Sequence, residues 1–166
     1  MANGETTQRS DLDAARVTQV LREHAAATLC NQAELTLVLD RMVLRREGAQ
    51  SQEHLMRVKA LDGSLVNSYR SLNVFGLRED EARGLLYHRL FSSHEARFQS
   101  ENREIQQAID LTEAHLATLA RPKTWVMDRG FDNDDVWGWI WGHGSHLVCR
   151  VYHFERLVAW QTPEGR

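Results

Sequence analysis

Two β-rich apolar runs, each carrying one aspartate, constrain this chain most strongly. The run ELTLVLDRMVL at residues 34–44 sets Asp40 among leucines and valines, and KTWVMD at 123–128 ends on Asp128. Such runs are typical of strands that are buried on both faces of a sheet. An isolated charge is costly in that setting, so both aspartates require a physical reason.

The other patterns alternate between helical and strand periodicity. Apolar spacing predicts a helix over 11–30 that is capped by Ser10 or Asp11, and a second helix over 100–120 that is stopped by Pro122. A third helix is predicted to begin at Asp132 or Asn133 and to end at Gly142 or Gly144. Strand patterns cover 55–69 around the turn dipeptide Asp62-Gly63, then 69–77, 84–93 and 146–154. This order predicts an α/β fold with a mixed sheet and flanking helices.

Composition favours one soluble domain of 166 residues, 42% hydrophobic. We expect a disordered tail over 1–10, the folded core over 11–160 and a polar terminus over 161–166. The net charge of −3 lacks the positive balance of a self-sufficient nucleic-acid binder, so DNA contacts would come from local patches. Two distant cysteines and no apolar leader or membrane span predict a cytoplasmic protein with no membrane partner.

Asp40 and Asp128 could converge from neighbouring strands. Carboxylates on a rigid sheet are the hard oxygen ligands that Mg²⁺ prefers, and phosphoryl transfer is the natural use of two such ions. In the alternative interpretation, Asp40 caps a turn and Asp128 caps the following helix. Spacing alone leaves both open.

Three other patterns have competing interpretations. The histidines and Cys149 between 143 and 153 have the residue types of a zinc site, but strand alternation turns His146 and Cys149 to opposite faces. The acidic run 132–135 favours helix capping over a calcium loop, because its ligand spacing is wrong. Trp137 and Trp141 share a helix face, which favours packing on the sheet over stacking on bases.

Six segments taken in order resemble a known family. They are VLDRMVLRREG, LDGSLVNSYRSLNVFGL, LLYHRLFSS, SENREIQQAI, WVMDRGFDNDDVW and HLVCRVYH. Together they resemble the catalytic core of DDE transposases of bacterial insertion sequences, in the group typified by insertion sequence 4, over roughly residues 30–160. The most specific pieces are Asp-Arg-Gly-Phe-Asp at 128–132 and Tyr-Arg-Ser-Leu-Asn at 69–73.

The resemblance implies a ribonuclease-H-like fold of the retroviral-integrase type, incomplete at its C-terminus. It implies Asp40 as the first acid and Asp128 as the second, which together would bind Mg²⁺, two ions in the complete enzyme. Those ions activate water to cut DNA at the ends of the insertion sequence and direct the freed 3′ hydroxyl into target DNA. The implied partners are double-stranded DNA and either a second copy or a full-length transposase.

Two departures from the family pattern lower the expected activity. First, Asp40 is followed by Arg41 and Met42 where the family has Gly-Ser. Second, the third acid of the family, a glutamate in a Tyr-x2-Arg-x3-Glu-x6-Lys pattern, is missing, since neither Glu155 nor Glu164 fits that pattern. We therefore expect a truncated core that is inactive alone. The alternatives are a non-catalytic remnant that binds and inhibits a full-length transposase, and an independent two-carboxylate nuclease.

Basic residues near the two acids are candidate DNA contacts. Arg41, Arg45 and Arg46 form the densest basic region together with Arg57 and Lys59, and they could hold phosphates or lie on an ordinary solvated strand edge. Arg129, beside Asp128, could neutralise the acids or contact DNA.

Overall fold

The computed structural model describes residues 14–46, 48–49, 51–60, 62–78, 83–152 and 155. The predicted tail over 1–10, the predicted cap at Ser10 or Asp11 and the polar terminus over 161–166 lie outside these residues. Among the helices of the described ranges, none combines the length and apolar character needed to cross a membrane.

Three helices and six strands make up the described fold. In chain order they are α1 (Ala14–Leu29), β1 (Leu35–Arg45), β2 (Met56–Lys59), β3 (Leu65–Leu77), β4 (Arg83–Phe91), α2 (Glu101–Leu116), β5 (Lys123–Met127), α3 (Asp134–Gly142) and β6 (His146–Cys149). Short 3-10 turns follow α2 and β5. Gly63 has a φ of 86°, which fits the turn predicted at Asp62-Gly63 between β2 and β3.

The six strands form one mixed sheet. β1 pairs antiparallel with β3 and parallel with β5, β3 pairs antiparallel with β4, and β5 pairs parallel with β6. The spatial order is therefore β4-β3-β1-β5-β6, with β2 pairing antiparallel to the first residues of β3. Three antiparallel strands followed by two parallel ones, with α2 inserted between β4 and β5, is the ribonuclease-H-like arrangement. The fold class predicted from the sequence is confirmed.

The sheet has two unlike faces. One face carries Leu37 and Leu39 of β1, Val74 of β3 and Trp125 of β5, all at most 2% exposed. The buried residues of α1, α2 and α3 belong to the same apolar cluster as these side chains, so we call this side the helix face. Side chains alternate along each strand, so the residues between them form the opposite side, which we call the open face.

The open face is only partly covered. Along β1, successive side chains as far as Asp40 are alternately buried and half-buried, and those of residues 42–45 are exposed. On this face Val148 is 57% exposed and Met42 is 48% exposed. The prediction that β1 is buried on both faces was therefore wrong, because the described helices pack on one side only.

Two glycines allow α1 to lie directly on the helix face. A Cβ at Gly84 would lie 2.8 Å from the Cβ of Ala25 and 2.9 Å from its Cα, and one at Gly76 would lie 2.3 Å from a methyl carbon of Leu29. Carbon atoms in contact prefer separations of about 3.5–4.0 Å. The close approach of the α1 backbone to β4 therefore requires a residue without a side chain at Gly84, whereas at Gly76 the close atoms belong to the flexible side chain of Leu29.

A buried carboxylate joins α2 to the parallel half of the sheet. Glu113 is 6% exposed and accepts hydrogen bonds from Trp125 Nε1 at 2.9 Å and Ser145 Oγ at 2.6 Å. Its other oxygen forms an ion pair with Lys123 Nζ at 2.9 Å. Burial by itself raises the pKa of Glu113, but the bonds from Ser145, Trp125 and Lys123 outweigh it and lower that pKa. The network fixes the first residue and the middle of β5, the strand that leads to Asp128.

Three element boundaries differ from the prediction. The second strand of the hairpin and the run 69–77 form one continuous strand, β3, because it pairs with β1 along most of its length. β6 ends at Cys149, well before the predicted 154. α2 ends at Leu116, since a 3-10 turn and Ala120, with a φ of 44°, precede Pro122.

Candidate active site

The sheet brings Asp40 and Asp128 side by side. In the parallel pairing of β1 with β5, Leu39 is opposite Met127. Asp40 directly follows Leu39, and Asp128 directly follows Met127. Neighbouring strands lie about 4.8 Å apart. Leu39 and Met127 both belong to the helix face, and alternation therefore turns both aspartates to the open face.

A tight turn holds Asp128 at the end of β5. Its Oδ1 accepts a hydrogen bond from the backbone N–H of Gly130 at 2.9 Å, which caps the 3-10 turn Arg129–Phe131. The Cys149 thiol, at the end of β6, lies 3.4 Å from the Asp128 carbonyl oxygen. One carboxylate oxygen is thus used to shape the turn, and the side chain as a whole is exposed. Asp128 thus caps this short 3-10 turn, whereas the following α-helix, α3, which Asp128 was predicted to cap, is capped by Asn133.

Asp40 has a different environment. It lies in the middle of β1, half-buried, and is paired across the sheet with Asn73 of β3. Within the described part of the chain, no hydrogen bond or ion pair engages its carboxylate. It does not end a strand, so the interpretation of Asp40 as a turn cap was wrong. A carboxylate fixed on a central strand without a partner is chemically suited to a cation.

A row of polar residues crosses the open face at the level of these acids. Asn73 lies between Asp40 on β1 and His88 on β4 in the strand register. The amide oxygen Oδ1 of Asn73 lies 2.7 Å from His88 Nδ1 and 3.3 Å from Ser71 Oγ. We call the four residues Asp128, Asp40, Asn73 and His88 the polar row. Neither Asn73 nor His88 was predicted from the sequence as a site residue; the signal for Asn73 was an asparagine inside a β-rich run.

An apolar row lies next to the polar row. Strand pairing aligns Phe75, Val38, Val126 and Val148 across four strands. The first three are half-buried and the last is exposed. The open face therefore carries this apolar row directly beside the polar row that contains the two carboxylates.

Arg41 lies beneath the site on the other side of the sheet. Its guanidinium forms an ion pair with Glu101 at 2.6 Å and lies 5.5 Å from the centre of the Phe131 ring. Arg70 is also paired with Glu101. With its charge shared in this way, Arg41 supports the turn after β5 from below, and its predicted contact with DNA stays a prediction.

The other three arginines have different positions. Arg45 and Arg46 are exposed at the far end of β1, five and six residues beyond Asp40. At about 3.3 Å per residue this places them roughly 17–20 Å from the carboxylate, so their predicted contact with DNA stays a prediction. Arg129 is exposed, and its guanidinium lies 5.9 Å from the centre of the Tyr152 ring.

The tryptophans of α3 divide into two groups. Trp137 packs against the apolar cluster and donates a hydrogen bond from Nε1 to the Phe131 carbonyl at 3.1 Å. Trp141 is 58% exposed, so the prediction that it packs on the sheet was wrong. Asn133 caps α3 through a hydrogen bond from the backbone N–H of Asp135, as one of the two predicted caps.

Asp40 and Asp128 are the two carboxylates whose fit to a metal ion can be judged from the described residues. No group of three or more His, Cys, Asp or Glu side chains that could hold a metal ion occurs in the described ranges. An unpartnered carboxylate beside a second one fits a divalent cation in the type and charge of its donors. The pair would leave the remaining ligand positions to water, substrate or another residue.

Comparisons with known proteins give little support for an assignment. Neither a protein-family model nor a curated protein matches the chain. Among solved structures, the Mos1 strand transfer complex is similar with 14% identity and a TM-score of 0.37 over 82% of this chain and 43% of that chain. The chain thus spans less than half the length of that neighbour. At this level of similarity no function can be transferred.

Proposed function

We propose that this chain is part of a DDE-type transposase domain that acts on DNA by phosphoryl transfer, of the kind found in insertion sequences. One observation supports it most: in a ribonuclease-H-like sheet the parallel register sets Leu39 opposite Met127, so that Asp40 of β1 lies next to Asp128, the residue that directly follows β5. The residues around Asp128 and Asn73 also carry the most specific parts of the family resemblance.

In this proposal the two carboxylates hold divalent metal ions, Mg²⁺ by preference for hard oxygen ligands. When bound, such ions supply activation of the attacking oxygen and stabilisation of the leaving one. The contribution of the chain is positional. Asp40 is fixed by pairing on both sides of β1, and Asp128 is fixed by the hydrogen bond from Gly130 and by the Glu113 network at the base of β5.

A third acid would have to come from outside the described residues, since these provide no third carboxylate at the site. We propose a glutamate on a helix that packs over the apolar row. Without that third ligand we expect DNA cutting to be at least about 100-fold slower, because a misplacement of about 1 Å in the site can cost about 10²-fold in rate.

The test begins with the genomic DNA downstream of the Arg166 codon. If a frame encoding a Tyr-x2-Arg-x3-Glu-x6-Lys helix is found, the joined protein is assayed for nicking of DNA bearing the flanking terminal repeats in Mg²⁺ or Mn²⁺. We expect nicking that is reduced at least about 100-fold by Asp40→Asn and by Asp128→Asn, with Glu23→Gln on α1 as a matched exposed control. Nicking that survives both aspartate substitutions would rule out the proposed site.

A second candidate is a non-catalytic protein that binds a full-length transposase and inhibits it. The apolar row favours it, because Val148 is 57% exposed beside three half-buried apolar side chains, and exposed apolar strips of this kind mark interaction surfaces. Co-purification with a full-length transposase, compared between wild type and Val148→Asp, tests this function. Equal recovery of both proteins would count against it.

A further inference from the structure

One polar atom of the polar row is buried without a partner. Asn73 is 4% exposed, and its amide nitrogen Nδ2 has no hydrogen-bond partner. Buried polar groups are nearly always paired, and asparagine is disfavoured inside strands. An unpaired amide at the centre of the sheet therefore indicates a group that completes its bonding only when something else is present.

The orientation of this amide is set by two neighbours. The Asn73 Oδ1 oxygen, which can only accept, faces the Ser71 hydroxyl at 3.3 Å and His88 Nδ1 at 2.7 Å. The contact with His88 reaches across the strand pair to β4, whereas Ser71 lies on β3 itself. With Oδ1 as the acceptor of both contacts, His88 donates from Nδ1. Because Nδ2 leaves the same carbon in a different direction, it lies away from His88. In the strand register, the next residue on that side is Asp40.

We propose that Asn73 is a positioning residue for the cation site, with its amide N–H reserved for the Asp40 carboxylate, and that His88 holds the amide in the required orientation. Side chains of directly paired residues have Cβ atoms about 4.5–5.5 Å apart, so an amide and a carboxylate on such a pair can bond after a rotamer change of Asp40. Carboxylates that bind metals are commonly held by a second hydrogen bond in this way. The inference rests on the proposed function only in taking Asp40 and Asp128 as the cation ligands.

Cation binding tests this inference without any requirement for activity. Free Mn²⁺ is followed by its electron paramagnetic resonance signal during titration of wild type, Asn73→Leu, His88→Leu, Asp40→Asn and Asp128→Asn. Ser68→Ala is the matched control, because Ser68 is also on β3, fully buried and without a partner for its hydroxyl, but lies away from the polar row. We expect Asn73→Leu to weaken Mn²⁺ binding about 10- to 100-fold, His88→Leu to weaken it less, and Ser68→Ala to leave it unchanged.

Thermal unfolding without metal separates positioning from a structural role. If Asn73 serves the cation site, Asn73→Leu changes the melting temperature little while weakening Mn²⁺ binding; a structural role predicts a large fall in melting temperature with unchanged binding in the folded protein. If Asn73→Leu does not fold, the exposed position of His88 makes His88→Leu decisive.

The outcomes for the two proposals are distinct. Wild-type affinity in Asn73→Leu and His88→Leu, with binding lost in Asp40→Asn, overturns the role of Asn73 and leaves the acid pair intact. If wild type does not bind Mn²⁺, or if Asp40→Asn and Asp128→Asn bind it as well as wild type does, the cation site itself fails and the role of Asn73 fails with it.

Discussion

Removal of the Glu113 carboxylate should destabilise the protein more than any exposed acidic substitution. The side chain is 6% exposed and has three partners, namely Trp125 Nε1, Ser145 Oγ and the Lys123 ammonium, whose side chain is 15% exposed. Glu113→Ala leaves the ammonium and the two neutral donors buried without an acceptor. Breaking one side of a buried pair costs about 3–5 kcal/mol, a large part of a stability of about 5–15 kcal/mol.

Two further variants separate charge from hydrogen bonding. Glu113→Gln keeps an oxygen that can accept from Trp125 or Ser145 but loses the ion pair, so we expect a loss of about 1.5–3 kcal/mol. Glu23→Ala, an exposed glutamate of α1 bonded only to Gln19, should cost less than about 0.5 kcal/mol. Urea denaturation gives these differences directly, and in a chain of this size each kcal/mol lowers the melting temperature by about 2–4 °C.

The same carboxylate predicts a pH dependence. Because the folded-state pKa of Glu113 is lowered, its stabilisation is complete above the unfolded-state value of about 4.3 and is lost as the pH falls through the folded-state pKa. The stability difference between wild type and Glu113→Gln should therefore shrink when the pH is lowered from 7 to 3. Equal losses of stability in Glu113→Ala and Glu23→Ala would refute this reasoning. A stability difference between wild type and Glu113→Gln that does not change with pH would refute it as well.

Two packing predictions follow from the helix face. Arg89→Met removes the ion-pair partner of Glu104, a buried glutamate on α2 that lies 2.7 Å away, and should lower the free energy of unfolding in urea by about 3 kcal/mol. Arg97→Met, whose arginine is 76% exposed, should lower it by less than about 0.5 kcal/mol. Equal losses in the two variants would contradict the role of burial. Gly84→Ala would place a Cβ 2.9 Å from the backbone of α1 and should lower stability by about 1–3 kcal/mol in thermal melts. Gly138→Ala, with no atom within 4 Å of its Cβ, should be neutral or slightly stabilising, and an equal effect of both glycine substitutions would refute the close approach.

The elements of the fold could largely be predicted because their signals are local. The apolar runs around Asp40 and before Asp128 became β1 and β5, and the Asp62-Gly63 turn became a hairpin. The burial of β1 was predicted wrongly because periodicity cannot show which face lacks a covering helix. The exposure of Trp141 was missed for a related reason: Trp137, four residues earlier on the same helix face, packs against the apolar cluster, and periodicity cannot show that Trp141 does not.

The candidate site could be predicted only in part. Two carboxylates on apolar runs gave the chemistry, but their adjacency depends on the parallel register that sets Leu39 against Met127. Asn73 and His88 join the row only through two antiparallel registers, one of which contains an irregularity after Val74. Registers between distant segments are tertiary properties, so the sequence could not show that Asn73, although part of the distinctive segment 69–73, lies beside Asp40 and His88.

The most direct test of the account is whether one cation lies close to both aspartates. Backbone amide signals of the isotopically labelled protein are recorded by nuclear magnetic resonance during titration with Mn²⁺, which broadens nearby signals. The account predicts simultaneous broadening around residues 39–41, 72–74 and 127–130, with all three lost together in Asp40→Asn. Broadening confined to the acidic run 132–135, or unchanged by that substitution, would contradict a shared site on the open face.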